Sequence, residues 1–419
     1  MPKIIEPTNV ENNSVKLAYT LKEELVKQKI CGDRITVSWL IKTVAANSVE
    51  LENLWSQSTV ENVGTIRLGV GESFNSDIYR VVIEFQNKER FSLVVKIPQS
   101  NASAGELVME NATFKGHDKE VKFYRMFSNA KQLGAIPKFY FGREIGQAET
   151  AILLIEDKGS QVISPSIFTS TPPEHIFAVS RELARMQAYA FKIPGNPWKT
   201  EFPDYWHTWE AHTVLNKACE PQLRSYDAEI SEMLDILRPV NNREFARYAI
   251  ETRPEQLNAI AFANGDLWSG NLLYKKDMET NKPTNDLVAI IDYQGAIAGN
   301  VFIDLVRYIV MCVDGATRRK YRDLFIEKFY TDLKKAYIEF QIAEPIGFTR
   351  EQCEELYDLC VVEQAIICIM NIPFFKVNAD NVSFDVHKKR MEVLLKRNRE
   401  MFKDAITLMK SYGWDFQKQ

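Results

Sequence analysis

The order of hydrophobic and polar positions along the chain predicts a strand-rich part followed by a longer, mainly helical part. Between residues 65 and 155, apolar residues mostly alternate with polar ones, and this period of two is typical of strands. The strands predicted from it are 65–70, 77–85, 91–97, 137–143 and 150–155. Beyond residue 160 the apolar period is mainly that of helices, with short strand patterns at 260–263, 271–274 and 287–291.

The polar, glycine-ended segment Glu156-Asp-Lys-Gly159 separates the two parts. We therefore predict an N-terminal helical extension over 1–55, a sheet-bearing domain over 56–156 and a helical domain over 157–419. The extension is predicted to hold two helices, and a packing role is its simplest interpretation. The long helices predicted in the chain are 14–30, 36–55, 118–128, 172–191, 318–341, 349–371 and 384–412.

In the strand-rich part, a lysine occurs in an otherwise apolar strand and a glutamate occurs on an otherwise apolar helix face. The alternation over 91–97 places Lys96 and Val94 on the face opposite the apolar residues. In the helix predicted over 118–128, Glu120 shares a face with aromatic residues. We predict that Lys96 pairs with Glu120 and binds the phosphates of a nucleotide, while Val94 covers its base. The alternative is an edge-strand lysine that reaches solvent and a glutamate at the border of the apolar stripe.

Two turn segments in the same part could bind other portions of a nucleotide. Gly69, Gly71 and Ser73 lie between the first two strands, where glycines let the backbone approach an anion and Ser73 adds a donor. A plain hairpin turn is the alternative for this segment. At the hinge between the two parts, backbone groups around Glu156 and Lys158 could read an adenine edge.

Two carboxylates and an amide follow strand patterns in the helical part. Asn271 comes five residues after Asp266, on the loop after the strand 260–263, and Asp292 comes directly after the strand 287–291. Phosphoryl transfer uses such a set: one carboxylate orients the attacking hydroxyl, while an amide and a second carboxylate hold Mg²⁺. The spacing alone has low specificity, so this hypothesis depends on the rest of the chain supplying a nucleotide site.

Composition narrows the class of protein. With 45% hydrophobic and 26% charged residues, the chain is typical of soluble globular proteins. A net charge of −4 gives no reason to expect a nucleic-acid partner, and the longest apolar run is too short to span a bilayer. The N-terminus lacks the apolar core of a signal peptide, so we expect a cytoplasmic protein without a membrane partner. The six cysteines form no C-x-x-C pair, which indicates reduced core residues.

The order of these features resembles the kinase-like phosphotransferases of small molecules, the class that contains choline and aminoglycoside kinases. More narrowly, the chain resembles the ecdysteroid-kinase-like (CHK kinase-like) family, and within it the nematode branch. The residues that carry this resemblance are Ile155-Glu-Asp-Lys-Gly159, Asn264-Gly-Asp-Leu-Trp-Ser-Gly-Asn271, Ile290-Ile-Asp-Tyr-Gln294 and Gly299-Asn-Val-Phe-Ile-Asp-Leu-Val-Arg307.

The resemblance implies an α+β, bilobal protein-kinase-like fold, with an antiparallel sheet and a helix in the N-lobe and a larger, mainly helical C-lobe. It implies ATP and Mg²⁺ as cofactors and a small-molecule hydroxyl acceptor, either an ecdysteroid-like steroid or a choline-like alcohol. By this resemblance Asp266 matches the catalytic base, and Asn271 and Asp292 match the metal ligands. Lys96 and Glu120 match the ion pair that positions the phosphates.

One departure from the family keeps a second class of function open. The family usually has His-Gly-Asp in the catalytic loop, where this chain has Asn264-Gly265-Asp266. A pseudokinase that binds a nucleotide or metabolite without transfer is therefore the alternative, although an asparagine can donate and accept in place of the histidine. A protein kinase is a further rival, but the short segment 293–303 leaves little room for a peptide-docking platform.

Two other groups of residues have no assigned chemistry. The aromatic segment 201–209 could wall an acceptor pocket, or it could form a core cluster. On the helix predicted from Val301, Asp304 and Arg307 are three residues apart, and we interpret them as structural.

Overall fold

A computed structural model describes residues 21–68, 76–99, 107–130, 132–147, 149–202, 205–372 and 382–416, with the backbone alone for 107–114 and 205–212. Gly69, Gly71 and Ser73 lie outside these residues, so their role in a nucleotide site stays a prediction. The chain divides into two compact units. The first unit is drawn from Met1–Asn129 and Ile136–Ser160, and the second from Ala130–Ala135 and Gln161–Gln419.

The first unit is built on an antiparallel sheet. In chain order its described elements are α1 (Glu23–Lys27), β1 (Lys29–Ile30), β2 (Ile35–Thr36), α2 (Val37–Ala45), α3 (Val49–Gln57), β3 (Val60–Leu68), β4 (Ser76–Phe85), β5 (Arg90–Pro98), α4 (Leu107–Phe127), β6 (Phe139–Arg143) and β7 (Ile152–Glu156). Five of the strands form one sheet in the order β3-β4-β5-β7-β6, and every neighbouring pair is antiparallel. Each strand predicted between residues 65 and 155 corresponds to one of these five.

Different helices cover the two faces of this sheet. On one face, Val95 of β5 is buried in a single core with residues of the N-terminal extension such as Leu40 of α2 and Trp55 of α3. The side chain at the next position of β5, Lys96, points to the opposite face because strand residues alternate. There it contacts Glu120, which places α4 on that face. The extension is therefore an integral part of the core of this unit.

The described part of the extension is less helical than the sequence predicted. A hairpin of β1 and β2 follows α1 where the predicted helix over 14–30 ends. The hairpin turn holds residues 31–33 at φ values of 55°, 69° and 63°, which a right-handed helix cannot include. Ser48 caps α3 by accepting a hydrogen bond from the Leu51 N–H at 3.3 Å, so two helices replace the one predicted over 36–55.

The second unit is mainly helical and carries two small sheets. Its described elements are β8 (Val162–Ile163), α5 (Pro173–Lys192), α6 (Trp198–Glu201), α7 (Tyr205–Tyr226), α8 (Ala228–Ile236), α9 (Arg243–Arg247), α10 (Arg253–Gln256), β9 (Ile260–Ala263), β10 (Leu272–Lys276), β11 (Pro283–Ile290), β12 (Ile297–Asn300), α11 (Ile303–Cys312), α12 (Gly315–Glu339), α13 (Gln352–Ile367) and α14 (Phe384–Tyr412). One sheet has the order β11-β10-β8, and the other is the antiparallel pair β9 and β12.

These elements confirm the α+β fold class that the sequence predicts: an antiparallel sheet with a helix in one unit and a larger, mainly helical second unit. Strand β12 was not predicted, and it matters for the site because it pairs with the strand that leads into the loop of Asp266. Within the described residues, no helix combines the length and apolar character needed to cross a membrane.

Candidate active site

Lys96 and Glu120 form a buried ion pair in the first unit. Lys96 Nζ donates to Glu120 Oε2 at 2.6 Å, and the two residues are 7% and 1% exposed. The alternation along β5 and the helical period of α4 together bring the two side chains to the same place. A buried ammonium held by one carboxylate is a fixed point charge suited to phosphate oxygens. The predicted contact is present, and its role in nucleotide binding stays a prediction.

The other first-unit residues assigned to a nucleotide lie on β5 and at the end of β7. Val94 is half-buried, two residues before Lys96. Lys158 Nζ and the Lys138 N–H both donate to Glu156 Oε2, at 2.8 and 3.0 Å. The Glu156 N–H donates in turn to the Lys138 carbonyl at 2.9 Å. These groups of Glu156 therefore have partners inside the unit, and the reading of an adenine edge around Glu156 and Lys158 stays a prediction.

In the second unit, a buried carboxylate of α11 holds the loop that follows β9. Asp304 accepts hydrogen bonds from the backbone N–H groups of Asn264, at 2.6 Å, and Gly265, at 2.8 Å. Burial raises the pKa of the Asp304 carboxyl to about 6, against the opposing effects of these hydrogen bonds and of nearby Arg307. Asp304 is structural, as predicted, and it acts directly on the backbone that carries Asp266.

Two glycines bring the backbone segments of Asp266 and Asp292 into contact. Gly265 has a φ of +78°, and a Cβ at this position would lie 2.0 Å from the carbonyl oxygen of Gly295. A Cβ at Gly295 would lie 3.1 Å from the Asn264 carbonyl oxygen and 3.2 Å from the Asp266 Cβ. Larger residues would therefore push the two segments apart.

Asn264 ties the same two segments together with its amide. Its Nδ2 donates to the Asp292 carbonyl at 3.0 Å, and its Oδ1 accepts from the Asp266 N–H at 3.0 Å. The residue is fully buried. A neutral imidazole also offers one donor and one acceptor. At the position where the kinase family that the sequence resembles usually has histidine, this asparagine supplies both kinds of hydrogen bond.

The pairing of β10 with β11 brings Asn271 close to the segment of Asp292. Asn271 ends a 3₁₀ turn at Ser269–Asn271 instead of beginning a strand, and its carbonyl accepts from the Ile291 N–H at 3.0 Å. Its Nδ2 donates to the Asp266 carbonyl at 2.8 Å. Asp292 itself has a φ of +61°, a conformation that costs a residue other than glycine about 1–2 kcal/mol. Such strained residues cluster at functional sites.

Sequence reasoning missed the part that Arg307 takes in this site. Arg307 Nη2 donates to Asp266 Oδ1 at 2.6 Å, and the side chains of Arg307 and Asp266 are 4% and 29% exposed. The apolar pattern of α11 does indicate that Arg307 needs a partner, although it does not identify Asp266 as that partner. Arg307 and Asp304 are the charged residues of α11, whose residues are all buried, and buried charges require partners.

The aromatic residues Tyr205, Trp206 and Trp209, considered as walls of an acceptor pocket, begin α7. Their side chains lie outside the described residues, so both interpretations of the segment stay open.

Comparison with known proteins gives a family match over most of the chain. A family model, DUF1679, described as "Uncharacterized oxidoreductase dhs-27", matches residues 82–412. The Caenorhabditis elegans protein "Uncharacterized oxidoreductase dhs-27" is 22% identical over 329 residues, which are 73% of this chain and 38% of that relative. The chain thus spans well under half the length of this relative. The Caenorhabditis elegans "Uncharacterized kinase-like protein D1044.1" is 24% identical over 299 residues, 68% of this chain and 76% of that protein.

Similar solved structures include two aminoglycoside phosphotransferases. The GDP complex of a mutant aminoglycoside 2'-phosphotransferase-IIIa has a TM-score of 0.42 at 13% identity, covering 81% of this chain and 91% of the other. The ADP-bound phosphotransferase APH(2'')-Ib has a TM-score of 0.38 at 14% identity, covering 85% of this chain and 99% of the other.

Proposed function

We propose that this chain, which belongs to the DUF1679 family, is an ATP- and Mg²⁺-dependent phosphotransferase that acts on a hydroxyl group of a small molecule. The residues assigned to this chemistry all lie within the matched range: Lys96, Glu120, Asp266, Asn271 and Asp292. The name "kinase-like" of one relative is consistent with the proposal. The name "oxidoreductase" refers to a relative of which the match covers 38%.

The observation that carries the proposal is the linkage of two short segments in the second unit. Asn264 and Asn271 each use a side-chain amide to hold the backbone of Asp266, and Asn264 also holds the backbone of Asp292. A carboxylate that orients an attacking hydroxyl must keep a fixed geometry to the groups that hold the metal. Linked backbones of this kind supply that geometry, which supports the roles assigned to the three residues.

The donor set around Asn271 and Asp292 fits Mg²⁺. Because Asn271 Nδ2 is used by the Asp266 carbonyl, the amide oxygen is the atom of this side chain that can bind a cation. Mg²⁺ prefers oxygen ligands and is commonly held by one or two carboxylates together with waters and phosphates. The described residues contain no group of three or more His, Cys, Asp or Glu side chains placed to hold a metal. When bound, the ion would neutralise charge on the phosphate oxygens.

In the proposed reaction, Asp266 accepts a hydrogen bond from the acceptor hydroxyl and aligns its oxygen with the γ-phosphorus. A bond forms between the acceptor oxygen and this phosphorus as the bond to the β-phosphate oxygen breaks, and the hydroxyl proton passes to Asp266. Asn271 and Asp292 would be the metal ligands. Lys96, held by Glu120, would position the phosphates.

The proposed acceptor is an alcohol, either an ecdysteroid-like steroid or a choline-like compound. The basis is the ecdysteroid-kinase-like resemblance of the sequence motifs, which is finer than the family match. The cytoplasmic location and the lack of nucleic-acid and membrane partners, expected from the sequence, stay predictions.

A pseudokinase is the second candidate, and Asn264 is the observation that favours it. Replacement of the usual histidine would lower activity if it left the loop of Asp266 without the hydrogen bonds that hold it. Here the amide of Asn264 makes both of its hydrogen bonds, to Asp266 and to Asp292. This geometry favours the active enzyme.

Two measurements on the full chain test the proposal. The melting temperature is measured with ATP, with Mg²⁺ and with both, and phosphate transfer from ATP is measured over a panel of sterols, amino alcohols and sugars. The proposed function predicts stabilisation that requires both components and transfer to one class of alcohol. Stabilisation without transfer or ATP turnover would favour a nucleotide-binding pseudokinase, and no stabilisation would contradict both the proposed function and a nucleotide-binding pseudokinase.

A further inference from the structure

A chain of buried polar side chains runs from Asp266 into α13. Arg307 Nη2 donates to Asp266 Oδ1 at 2.6 Å, and Arg307 Nη1 donates to Gln364 Oε1 at 3.0 Å. Gln364 Nε2 then donates to Glu363 Oε2 at 2.6 Å. Arg307, Gln364 and Glu363 are 3%, 1% and 1% exposed. These hydrogen-bonded side chains therefore connect the loop after β9 with α11 and α13 through the interior.

The geometry of the guanidinium constrains the carboxylate. A guanidinium is planar and its N–H groups have fixed directions, so holding Nη1 on Gln364 also fixes the direction of Nη2. Asp266 is the more exposed residue of its ion pair with Arg307, with 29% of its side chain accessible against 4% for Arg307. The buried partner is thus the rigid one, and the accessible partner is the one that it can orient.

We propose that Arg307 is a positioning residue for Asp266, and that Gln364 of α13 fixes Arg307 for this purpose. This inference rests on the proposed function, because it gives Arg307 a part in phosphoryl transfer. Arg307 holds one carboxylate oxygen of Asp266 and so sets the plane in which the carboxylate meets the acceptor hydroxyl. Misplacement of a catalytic group by about 1 Å can reduce turnover about 100-fold.

The competing interpretation is that Arg307 only links α11 to α13. Under that interpretation Arg307→Ala would lower stability, and any loss of turnover would follow the loss of folded protein. A positioning role predicts a loss of kcat in protein that remains folded, without a matching change in the KM for Mg·ATP. It also predicts that free guanidinium ion restores part of the lost turnover by entering the vacated space.

Arg318 provides a matched control. Its side chain is 6% exposed, its Nη2 donates to Asp404 Oδ2 at 2.9 Å, and its Nη1 donates to the Val313 carbonyl at 3.0 Å. Like Arg307, it is a buried arginine of the second unit with one carboxylate and one neutral acceptor. Arg318→Ala should cost a similar amount of stability, with kcat per folded molecule unchanged and no response to guanidinium.

The experiment measures kcat and KM for Mg·ATP in the full-length wild-type protein and in Arg307→Ala, Gln364→Met and Arg318→Ala, each with and without guanidinium chloride below denaturing concentrations. We expect kcat to fall about 100-fold in Arg307→Ala and about 3- to 10-fold in Gln364→Met. The KM should stay within about twofold, and guanidinium should restore turnover in Arg307→Ala alone. If Arg307→Ala does not fold, Gln364→Met still tests the proposal, because it leaves the ion pair of Arg307 and Asp266 in place.

The outcomes separate the two proposals. Wild-type protein without phosphate transfer or ATP turnover would overturn the proposed function and this inference with it. If the wild type is active, the positioning role alone is overturned by a Gln364→Met variant that keeps full kcat. It is also overturned if Arg307→Ala loses turnover without rescue by guanidinium, or if Arg307→Ala behaves as Arg318→Ala does. A rescued loss of kcat at constant KM supports both proposals.

Discussion

Asp304 Oδ1 lies 2.8 Å from the backbone nitrogen of Gly265, so a helix of the second unit holds the backbone next to the proposed catalytic base. The same carboxyl is fully buried, and its pKa is raised by burial from 3.8 to about 6. The carboxyl that holds this loop is therefore one whose protonation changes as the pH rises through about 6.

The first prediction concerns the stability of Asp304→Asn as a function of pH. Because the pKa in the folded state is the higher one, the folded protein binds more protons between about pH 4 and 6. The protonated Asp304 carboxyl contributes its full stabilisation of the folded state below pH 3.8, and this stabilisation is lost as the pH rises through about 6. The free energy of unfolding of wild type relative to Asp304→Asn should therefore fall by up to about 3 kcal/mol over this window. Urea denaturation at a series of pH values measures it, and parallel pH profiles would contradict it.

The second prediction is a double-mutant cycle on the ion pair of Lys96 and Glu120. Removing one partner leaves a buried charge, so Lys96→Met or Glu120→Leu alone should cost about 3–5 kcal/mol. The double variant should be more stable than either single variant, because an apolar pair of similar volume replaces both charges. Denaturant unfolding measures all three. Costs that simply add would show that the two charges do not interact.

The same three variants also test the nucleotide role of the pair. Each should lose affinity for Mg·ATP, including the double variant, because the phosphate-binding ammonium is absent or displaced. Isothermal titration of the folded proteins measures this affinity. Unchanged affinity in a stable double variant would leave the pair a purely structural feature.

The third prediction compares Gly265→Ala with Gly413→Ala. Both glycines have positive φ, at +78° and +67°, so both variants pay about 1–2 kcal/mol for the left-handed conformation. At Gly413 nothing lies within 4 Å of the added Cβ, whereas at Gly265 the Gly295 carbonyl oxygen would lie at 2.0 Å. Gly265→Ala should therefore cost several kcal/mol more and abolish turnover. Equal shifts in the unfolding midpoint would show that the two segments move apart easily.

The fourth prediction separates the roles of Asp266 and Asp292. Asp266→Asn keeps an oxygen for Arg307 but removes the proton acceptor, so kcat should fall about 100- to 10,000-fold at nearly unchanged Mg·ATP affinity. Asp292→Asn should weaken Mg·ATP binding itself. Asp286→Asn, on the exposed part of β11, is the control and should change neither quantity. Normal turnover in both active-site variants would refute the roles assigned to these aspartates.

Local periodicity was sufficient to place the ion pair of the first unit. Lys96 and Glu120 were each positioned by the period of one element, and each needed a charged partner, so the contact followed without knowledge of the tertiary fold. The helix predicted over 384–412 has the observed bounds, and in the structure Ser383 caps its beginning while Gly413, with a φ of +67°, ends it.

Contacts that depend on tertiary structure could not be predicted in the same way. Arg307 and Asp266 are 41 residues apart, and no periodicity relates a loop to a helix over that distance. Strand β12 has four residues and includes Gly299, which gives too short a pattern to recognise. The hairpin of the extension depends on three successive positive φ values, of which only the one at Gly32 has a clear sequence signal.

The packing of α2 and α3 against the sheet affects how shortened versions of this protein will behave. Residues matched by the family model begin at 82, inside β4, so a fragment trimmed to that match lacks β3, more than half of β4 and the described helices α1, α2 and α3. Val95 and its apolar neighbours on β5 would then face water, next to a newly opened strand edge. When both are expressed in bacteria, such a fragment should precipitate more readily than the full-length chain.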